Sequence, residues 1–345
     1  MAITYHSGTR IQGTAADRAE VPAVSGGWKE VGRTTLGSAG DTISVTGLAD
    51  KRYYMTLIDS LASGVVAGYA RVNTDSGSNY SRRRSEDGGS DVTNVNSSYM
   101  NYFGQDVSGG HDFTVGYLAN KSDKEKLSLT HSVWRNTTGA GNAPHRLESV
   151  GKWANESNSI SSFQAHNIGA GSFNTGSEVV VLGWDPADTH TTNFWEELAS
   201  VNASGSSSTL SSGTITAKKY LWLQFYSDNM GSGTIRFNSD TGNNYSRRYS
   251  ANGGSDVLST SLGYLPIGYT TTAIFHNIFI INNSANEKLC IIQDSERNTA
   301  GAGNAPYRME EVGKWSNTSS QITQIDLNQS SNFASSSVLK VWGSN

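Results

Sequence analysis

The chain has 345 residues and a formal net charge of −4, from 26 basic and 30 acidic residues. This balance leaves no excess of either sign that would steer the protein to nucleic acid or an acidic membrane surface. Charged residues make up 16% of the chain, against about 25% in ordinary soluble domains. Serine, threonine, asparagine and glycine fill the difference, a composition typical of turn-rich β structure.

The first 27 residues have no counterpart later in the chain and hold only isolated apolar side chains. Such a segment buries too little apolar surface to offset its ordering entropy unless it docks on another surface. We therefore predict an extended N-terminal arm over residues 1–27. It has no basic region followed by an apolar one, and no 18-residue apolar span occurs in the chain, so we expect synthesis in a cytoplasm without membrane insertion.

After the arm, short apolar segments alternate with turn formers and show no helical periodicity, which predicts β-strands. Each segment in the first half has a match in the second. The matched pairs are 53–58 with 220–225, 113–118 with 275–280, 126–130 with 288–292, and 177–184 with 337–343. In the closing pair, alternating apolar and mixed positions predict one buried and one partly exposed face.

One fifteen-residue stretch shows the duplication most clearly. Residues 139–153, GAGNAPHRLESVGKW, return 162 positions later as 301–315, GAGNAPYRMEEVGKW, with twelve residues identical. Self-similarity at a fixed spacing indicates one structural unit used twice. We predict an all-β protein of two tandem, jelly-roll-like β-sandwiches: a first repeat at 28–184, a linker at 185–192 and a second repeat at 193–345.

A second matched block, residues 73–83 and 238–248, begins with a turn that carries Asp75 or Asp240 and predicts a hairpin. The spacing of its oxygen side chains resembles part of a calcium loop, but position 12 holds Arg84 or Tyr249 where a carboxylate is needed. An ordinary β-turn is therefore favoured, and calcium binding stays open.

Other candidate chemistry is weaker still. The glycines of 139–144 lack the lysine and the helix of a phosphate-binding loop, and Arg146, Glu148 and Lys152 after it are expected on a solvated strand face. The acids present in both halves form no pair spaced for glycan hydrolysis, and the seven histidines show no metal-ligand spacing. We predict no catalytic, cofactor-binding or metal-binding residue and no enzymatic activity.

Aromatic and thiol side chains are expected to be structural. Trp28 and Trp153 recur as Trp195 and Trp315, and core packing is favoured over a sugar platform for them. The single cysteine, Cys290, lies in an apolar run, so a buried free thiol is expected and no intrachain disulfide exists.

The wording of three segments resembles virion structural proteins of marine tailed phages and related environmental viruses. These segments are residues 236–254, the shared GAGNAP and VGKW phrases, and the linker sequence LGWDPADTH. The resemblance covers most of residues 28–345 and implies a tandem β-sandwich that assembles with copies of itself. It does not separate a capsid protein from a capsid decoration or a tail fibre.

We therefore expect a virion structural protein, made in the host cytoplasm, whose partners are copies of itself and other virion proteins. Its arm would order on a neighbouring subunit and its strand edges would supply further contacts. A tandem lectin-like module that recognises host-surface glycans is the alternative, and the two sandwiches packed side by side as a double jelly roll is a further one.

Overall fold

The computed structural model describes residues 27–106, 109–135, 137–186, 188, 192–268 and 272–345. All but residue 27 of the predicted arm lie outside these ranges. Every named element in the described part of the chain is a β-strand, and no helix long and apolar enough to cross a membrane is found there. The expected all-β class is thus confirmed.

Twelve strands lie in the described part of the first repeat. They are β1 Lys29–Thr35, β2 Thr42–Thr46, β3 Tyr53–Leu61, β4 Val66–Val72, β5 Tyr80–Glu86, β6 Val92–Ser97, β7 Asn101–Asp106, β8 His111–Ala119, β9 Lys126–Trp134, β10 His145–Trp153, β11 Ser162–Asn167 and β12 Glu178–Trp184. They form an eight-stranded sheet in the order β1-β12-β3-β8-β9-β10-β5-β6 and a four-stranded sheet in the order β2-β11-β4-β7.

The second repeat uses the same plan. Its strands are β13 Glu196–Asn202, β14 Thr209–Ser211, β15 Tyr220–Ser227, β16 Gly233–Phe237, β17 Tyr245–Ala251, β18 Val257–Leu262, β19 Leu265–Ile267, β20 Ile274–Ile281, β21 Lys288–Glu296, β22 Tyr307–Trp315, β23 Ile325–Asn328 and β24 Val338–Ser344. The sheet orders are β13-β24-β15-β20-β21-β22-β17-β18 and β14-β23-β16-β19. Each strand therefore holds the place of its sequence match.

Within each repeat the two sheets pack face to face over an apolar core. In the first repeat, Tyr54 and Ile58 of β3 meet Val45 of β2 and Ala70 of β4. Because side chains alternate along a strand, the neighbouring Met55 and Leu57 point to the opposite face of the eight-stranded sheet, yet they are also buried. The second repeat covers that opposite face, so the large sheets are sandwiched between the small ones.

This layering corrects two expectations. The block at residues 73–83 is not a hairpin, because β4 lies in the four-stranded sheet and β5 in the eight-stranded one; the turn carries the chain across the sandwich. The closing strand β12 has no exposed face, because Glu178 and Val180 are as buried as Val179 and Val181. In its counterpart β24 the predicted alternation is confirmed, because alternate side chains from Leu339 onward are buried and those between them are partly exposed. The sequence of one repeat does not reveal that the other repeat covers it.

Candidate functional site

The eight-stranded sheets of the two repeats are packed on each other. Their contact has an apolar centre in which Leu57, Phe113 and Val133 of the first repeat join one cluster with Phe279 and Ile291 of the second. This contact uses only part of each sheet. The half of the contact that contains Arg146 and Lys219 is closed, and the half that contains Leu127 and Val150 is open.

On the closed half, the loop between β9 and β10 lies against the second repeat. This segment, residues 137–144, is called the docking loop. The backbone of Ala140 accepts a hydrogen bond from Ser261 N (2.7 Å), and Gly139 N donates to Glu287 (2.6 Å). Four side chains of the second repeat hold the loop at Thr137, Gly139, Asn142 and Pro144; they are Ser246, Arg248, Glu287 and Lys314.

An ion pair follows directly after the docking loop. Arg146 Nη2 lies 2.7 Å from Asp256 Oδ1, and the two side chains are only 4% and 5% exposed. Burial alone lowers the pKa of Arg146, but the hydrogen bond to Asp256 and the carboxylate of Glu148 more than offset it, and the pKa is raised. Burial raises the pKa of Glu148 to about 7. Arg146 therefore stays charged and links the two repeats through Asp256.

A second polar cluster lies at the other side of the closed half. Lys219 Nζ is 3.0 Å from both Asp59 and Glu178, and Tyr220 donates its hydroxyl to Glu178 at 2.7 Å. Burial opposes ionisation of Asp59, but the hydrogen bond from His111 and the charge of Lys219 outweigh it and lower the pKa to about 2. These charged residues belong to two repeats, so they clamp the sheets together.

The centre of the contact joins equivalent positions of the two repeats. His131 lies opposite Glu148 on the neighbouring strand, as Gln293 lies opposite Glu310 in the second repeat. The side chains of His131 and Gln293 are 3.0 Å apart across the contact. Packing that joins equivalent positions has approximate two-fold character. A symmetric interface would place residues 299–306 of the second repeat against the first repeat.

That second contact is missing from the described structure. Residues 299–306, called the free loop, are exposed throughout. The surface that would receive them is also uncovered: Tyr53, Leu127, Leu129 and Val150 are 38%, 57%, 43% and 51% exposed. Together with Tyr117 these four residues form the open face, which lines a groove of about 840 Å³.

The second repeat shows what the open face looks like when it is covered. By strand register, the counterparts of the open-face residues are Tyr220, Phe279, Leu289, Ile291 and Val312. Their exposures range from 0% to 4%. The same row of apolar positions is thus buried in one repeat and solvent-exposed in the other.

Aromatic rings stand at one end of the groove. Tyr53 and Trp184 are stacked with centroids 5.4 Å apart, and Trp28 packs on Trp184 and Tyr117. Trp28 was expected to pack in the core of one sandwich. It lies instead where the two repeats meet. Trp153 and Trp315 are fully buried, as expected.

The turns at Asp75 and Asp240 use their carboxylates inside the protein. Asp75 accepts hydrogen bonds from Gly77 N, Asn79 Nδ2 and Trp153 Nε1, the last at 2.7 Å. Asp240 accepts from Trp315 in the same way. The repeated aspartate thus anchors the buried tryptophan of each core. Within the described residues no cluster of three metal-ligating side chains occurs.

Substituting Asp75 by alanine should lower the free energy of unfolding by about 1 to 3 kcal/mol, because the buried Trp153 Nε1 loses its acceptor. The same holds for Asp240→Ala in the second repeat. Thermal melting of both variants checks this, and the wild-type melting temperature should not change on adding a chelator. A chelator-dependent fall in that temperature would instead assign these turns to calcium.

The structure also relocates other residues singled out in the sequence. Arg146 was expected on a solvated strand face and is 3% exposed; the docking of a whole second repeat buries it. Its counterpart Arg308 has a side chain that is 63% exposed, so the expectation holds there. Cys290 is buried, as predicted, and burial raises the pKa of its thiol.

No protein-family model matches this chain, and no curated protein matches it. Among solved structures, the LG1–3 region of the laminin α2 chain aligns at 8% identity with a TM-score of 0.19, covering 88% of this chain and 64% of that one. Ail of Yersinia pestis aligns at 6% identity and a TM-score of 0.14, covering 77% and 98%. The NalP translocator domain from Neisseria meningitidis gives 9% identity and 0.11, covering 76% and 87%. Likenesses this low carry no argument about function.

Proposed function

We propose that this protein is a virion structural protein that self-assembles as part of a viral capsid, its decoration or a tail fibre, and that it has no catalytic activity. The open face carries this proposal. Five apolar side chains there, Tyr53, Tyr117, Leu127, Leu129 and Val150, line a groove in a molecule whose equivalent surface is fully buried. A contiguous exposed apolar patch marks an interaction surface.

The strand order supports the jelly-roll fold that the sequence predicts, and with it the proposal. Two hairpins, β5–β6 and β9–β10, extend the eight-stranded sheet at one edge. Without them, the eight remaining strands of the first repeat, numbered along the chain, alternate between the sheets as 1-8-3-6 and 2-7-4-5. Eight strands in two sheets with Greek-key connections define the jelly roll, a fold of viral capsid and lectin domains.

The groove also favours a structural role over catalysis. Its lining is largely apolar and its charged members, Arg82, Arg83 and Lys152, are all basic. General acid-base work needs a positioned acid and base, and no carboxylate lies in this lining. A surface of this kind is suited to holding another protein surface.

Electron microscopy of the purified full-length chain, with light scattering to measure its mass, tests the proposal. We expect rings, fibres or shells, or a defined oligomer that builds them. A particle that keeps the mass of one chain, 36.9 kDa, at every concentration would contradict it.

Glycan binding is a second candidate, and the stacked pair of Tyr53 and Trp184 at the groove end favours it. Exposed aromatic rings bind sugar faces as well as protein side chains. A glycan array probed with the monomeric chain tests this candidate, with Trp184→Ala as the variant that should lose binding and Trp342→Ala in the second repeat as its control. Absence of binding to any glycan would remove it.

A further inference from the structure

We propose that the open face of the first repeat receives the free loop of a second copy of the chain, repeating between molecules the contact that the docking loop makes within one. The chain would then carry one unused loop on its second repeat and one unused receiving surface on its first repeat. This inference rests on the proposed function and names the interface through which self-assembly proceeds.

The free loop has the same sequence and the same internal hydrogen bond as the docking loop. Both have the sequence GAGNAP, at residues 139–144 and 301–306. In both, the asparagine side chain closes the turn: Asn142 Nδ2 donates to Thr138 O and Asn304 Nδ2 to Ala300 O, each at 3.0 Å. The free loop is therefore held in the same local form, ready to dock without further ordering of its chain.

The receiving surface is also present twice. Lys152 lies opposite Leu127 and Ser81, just as Lys314 lies opposite Leu289 and Ser246. The four side chains that hold the docking loop keep their residue type in the first repeat, where they are Ser81, Arg83, Glu125 and Lys152. Lys152 pairs with Glu125 at 2.9 Å, and Lys314 lies 3.5 Å from Glu287. The first repeat therefore carries, beside the open face, the polar groups that hold such a loop.

The charges complement each other as well. Arg146 of the docking-loop side pairs with Asp256, which also lies 3.6 Å from Arg248. The matching residues are Arg308 beside the free loop and Asp91, which lies 3.0 Å from Arg83. Arg308 and Asp91 have side chains that are 63% and 49% exposed. Docking of a second copy would bring this pair together and cover it.

The loop that docks belongs to another copy because the closed half fixes the two repeats of one chain. The buried contacts of Arg146 and Lys219 hold the repeats in an orientation that leaves the free loop wholly exposed and the groove open. The chain's own loop therefore does not fill its own groove. A loop from a neighbour has no such constraint.

This contact should be weaker than its template within the chain. Around the free loop, the second repeat has Gln224, Asn277 and Ser295 where the first has Leu57, Val115 and Val133. Less apolar surface is then buried on docking, and burial supplies about 25 cal/mol per Å². Association should accordingly depend on protein concentration. A head-to-tail series of such contacts generates rings or filaments, whereas two copies that exchange their free loops about a two-fold axis form a closed dimer.

A charge exchange tests the pairing. Asp91→Arg and Arg308→Asp place like charges in the contact between identical copies, so each variant alone should shift to the mass of one chain. An equimolar mixture restores an opposite pair at every contact and should assemble like wild type. Arg308→Lys, which keeps the charge, should retain assembly. Wild-type assembly that none of these changes affects would overturn this interface while leaving the proposed function, whereas a wild-type chain that never associates overturns both.

A cysteine pair locates the contact independently. Ala140→Cys with Ser261→Cys, at the backbone hydrogen bond of 2.7 Å within the chain, should crosslink inside one molecule. The equivalent pair, Ala302→Cys with Asn96→Cys, should link separate chains, seen on a non-reducing gel as a dimer or as a ladder of larger species. Ser261 and Asn96 have φ of 53° and 50°, so both pairs carry the same backbone cost. Oxidation of the second pair without any band above the mass of one chain would show that the crosslink forms within one chain, and it would overturn the assignment to a second copy.

Discussion

Substituting Arg146 by methionine should lower the free energy of unfolding by about 3 to 5 kcal/mol, the usual cost of removing one partner from a buried ion pair. Methionine keeps most of the side-chain volume, so the effect comes from charge. Asp256 would be left with a side chain that is 5% exposed and without its bidentate partner. Urea unfolding of the full-length chain, monitored by tryptophan fluorescence, measures the change.

The duplicated sequence provides a matched control. Arg308 occupies the same strand position in the second repeat but has a side chain that is 63% exposed. At protein concentrations too low for copies to associate, Arg308→Met should therefore change the free energy of unfolding by no more than about 0.5 kcal/mol, as surface substitutions usually do. Equal losses in the two variants would contradict the assignment of the docking-loop side as the closed half of the interface.

Stability should fall as the pH rises from about 6.5 to 8. Burial raises the pKa of Asp294 to about 8 and that of Glu311 to about 7. A group whose folded pKa is raised binds more protons in the folded than in the unfolded state, so its stabilising contribution is lost as the pH rises through the folded value. Each proton lost over one pH unit costs about 1.4 kcal/mol, and a total on the order of 2 kcal/mol is expected in this window.

The buried His276 sets the lower limit of this pH window. Burial lowers the pKa of His276 to about 3, so this group destabilises the fold as the pH falls below its unfolded value of about 6.5 and contributes nothing above it. Its ring lies 3.6 Å from Asp294. Melting temperatures should therefore be measured at pH 6.5, 7.25 and 8 for wild type and for Asp294→Asn.

In the Asp294→Asn variant the fall in melting temperature with rising pH should be clearly smaller than in wild type. The first repeat shows that this site does not need a charge, because Thr114 and Ser132 stand at the equivalent positions and share a hydrogen bond of 2.7 Å. An identical pH profile for wild type and variant would mean that Asp294 is already ionised beside a protonated His276.

The sequence was sufficient to predict the all-β class, the duplication and the strands that have matched apolar segments, because these depend on local patterns. The apolar segments at 53–58 and 220–225 fall inside β3 and β15, and the turn aspartates recur with their tryptophans. The crossing between sheets after β4 could not be predicted, since a turn of the same residues also suits a hairpin.

The contact between the repeats could not be predicted either. Arg146 and Arg308 lie in nearly identical stretches, and Leu129 and Ile291 occupy matching strand positions, yet one member of each pair is buried and the other exposed. That difference arises from the packing of one repeat on the other, which no local pattern encodes. One signal was present in the sequence: Leu57, Val115 and Val133 in the first repeat are replaced by Gln224, Asn277 and Ser295 in the second, which indicates that these faces have different neighbours.

Sedimentation equilibrium of the full-length wild-type chain tests the central claim most directly, because self-assembly through the open face must make the mass depend on concentration. We predict an average mass that rises above the 36.9 kDa of one chain as the protein is concentrated. A mass that stays at that value up to about 100 μM, well above the micromolar range in which interfaces of ordinary size associate, would contradict the account.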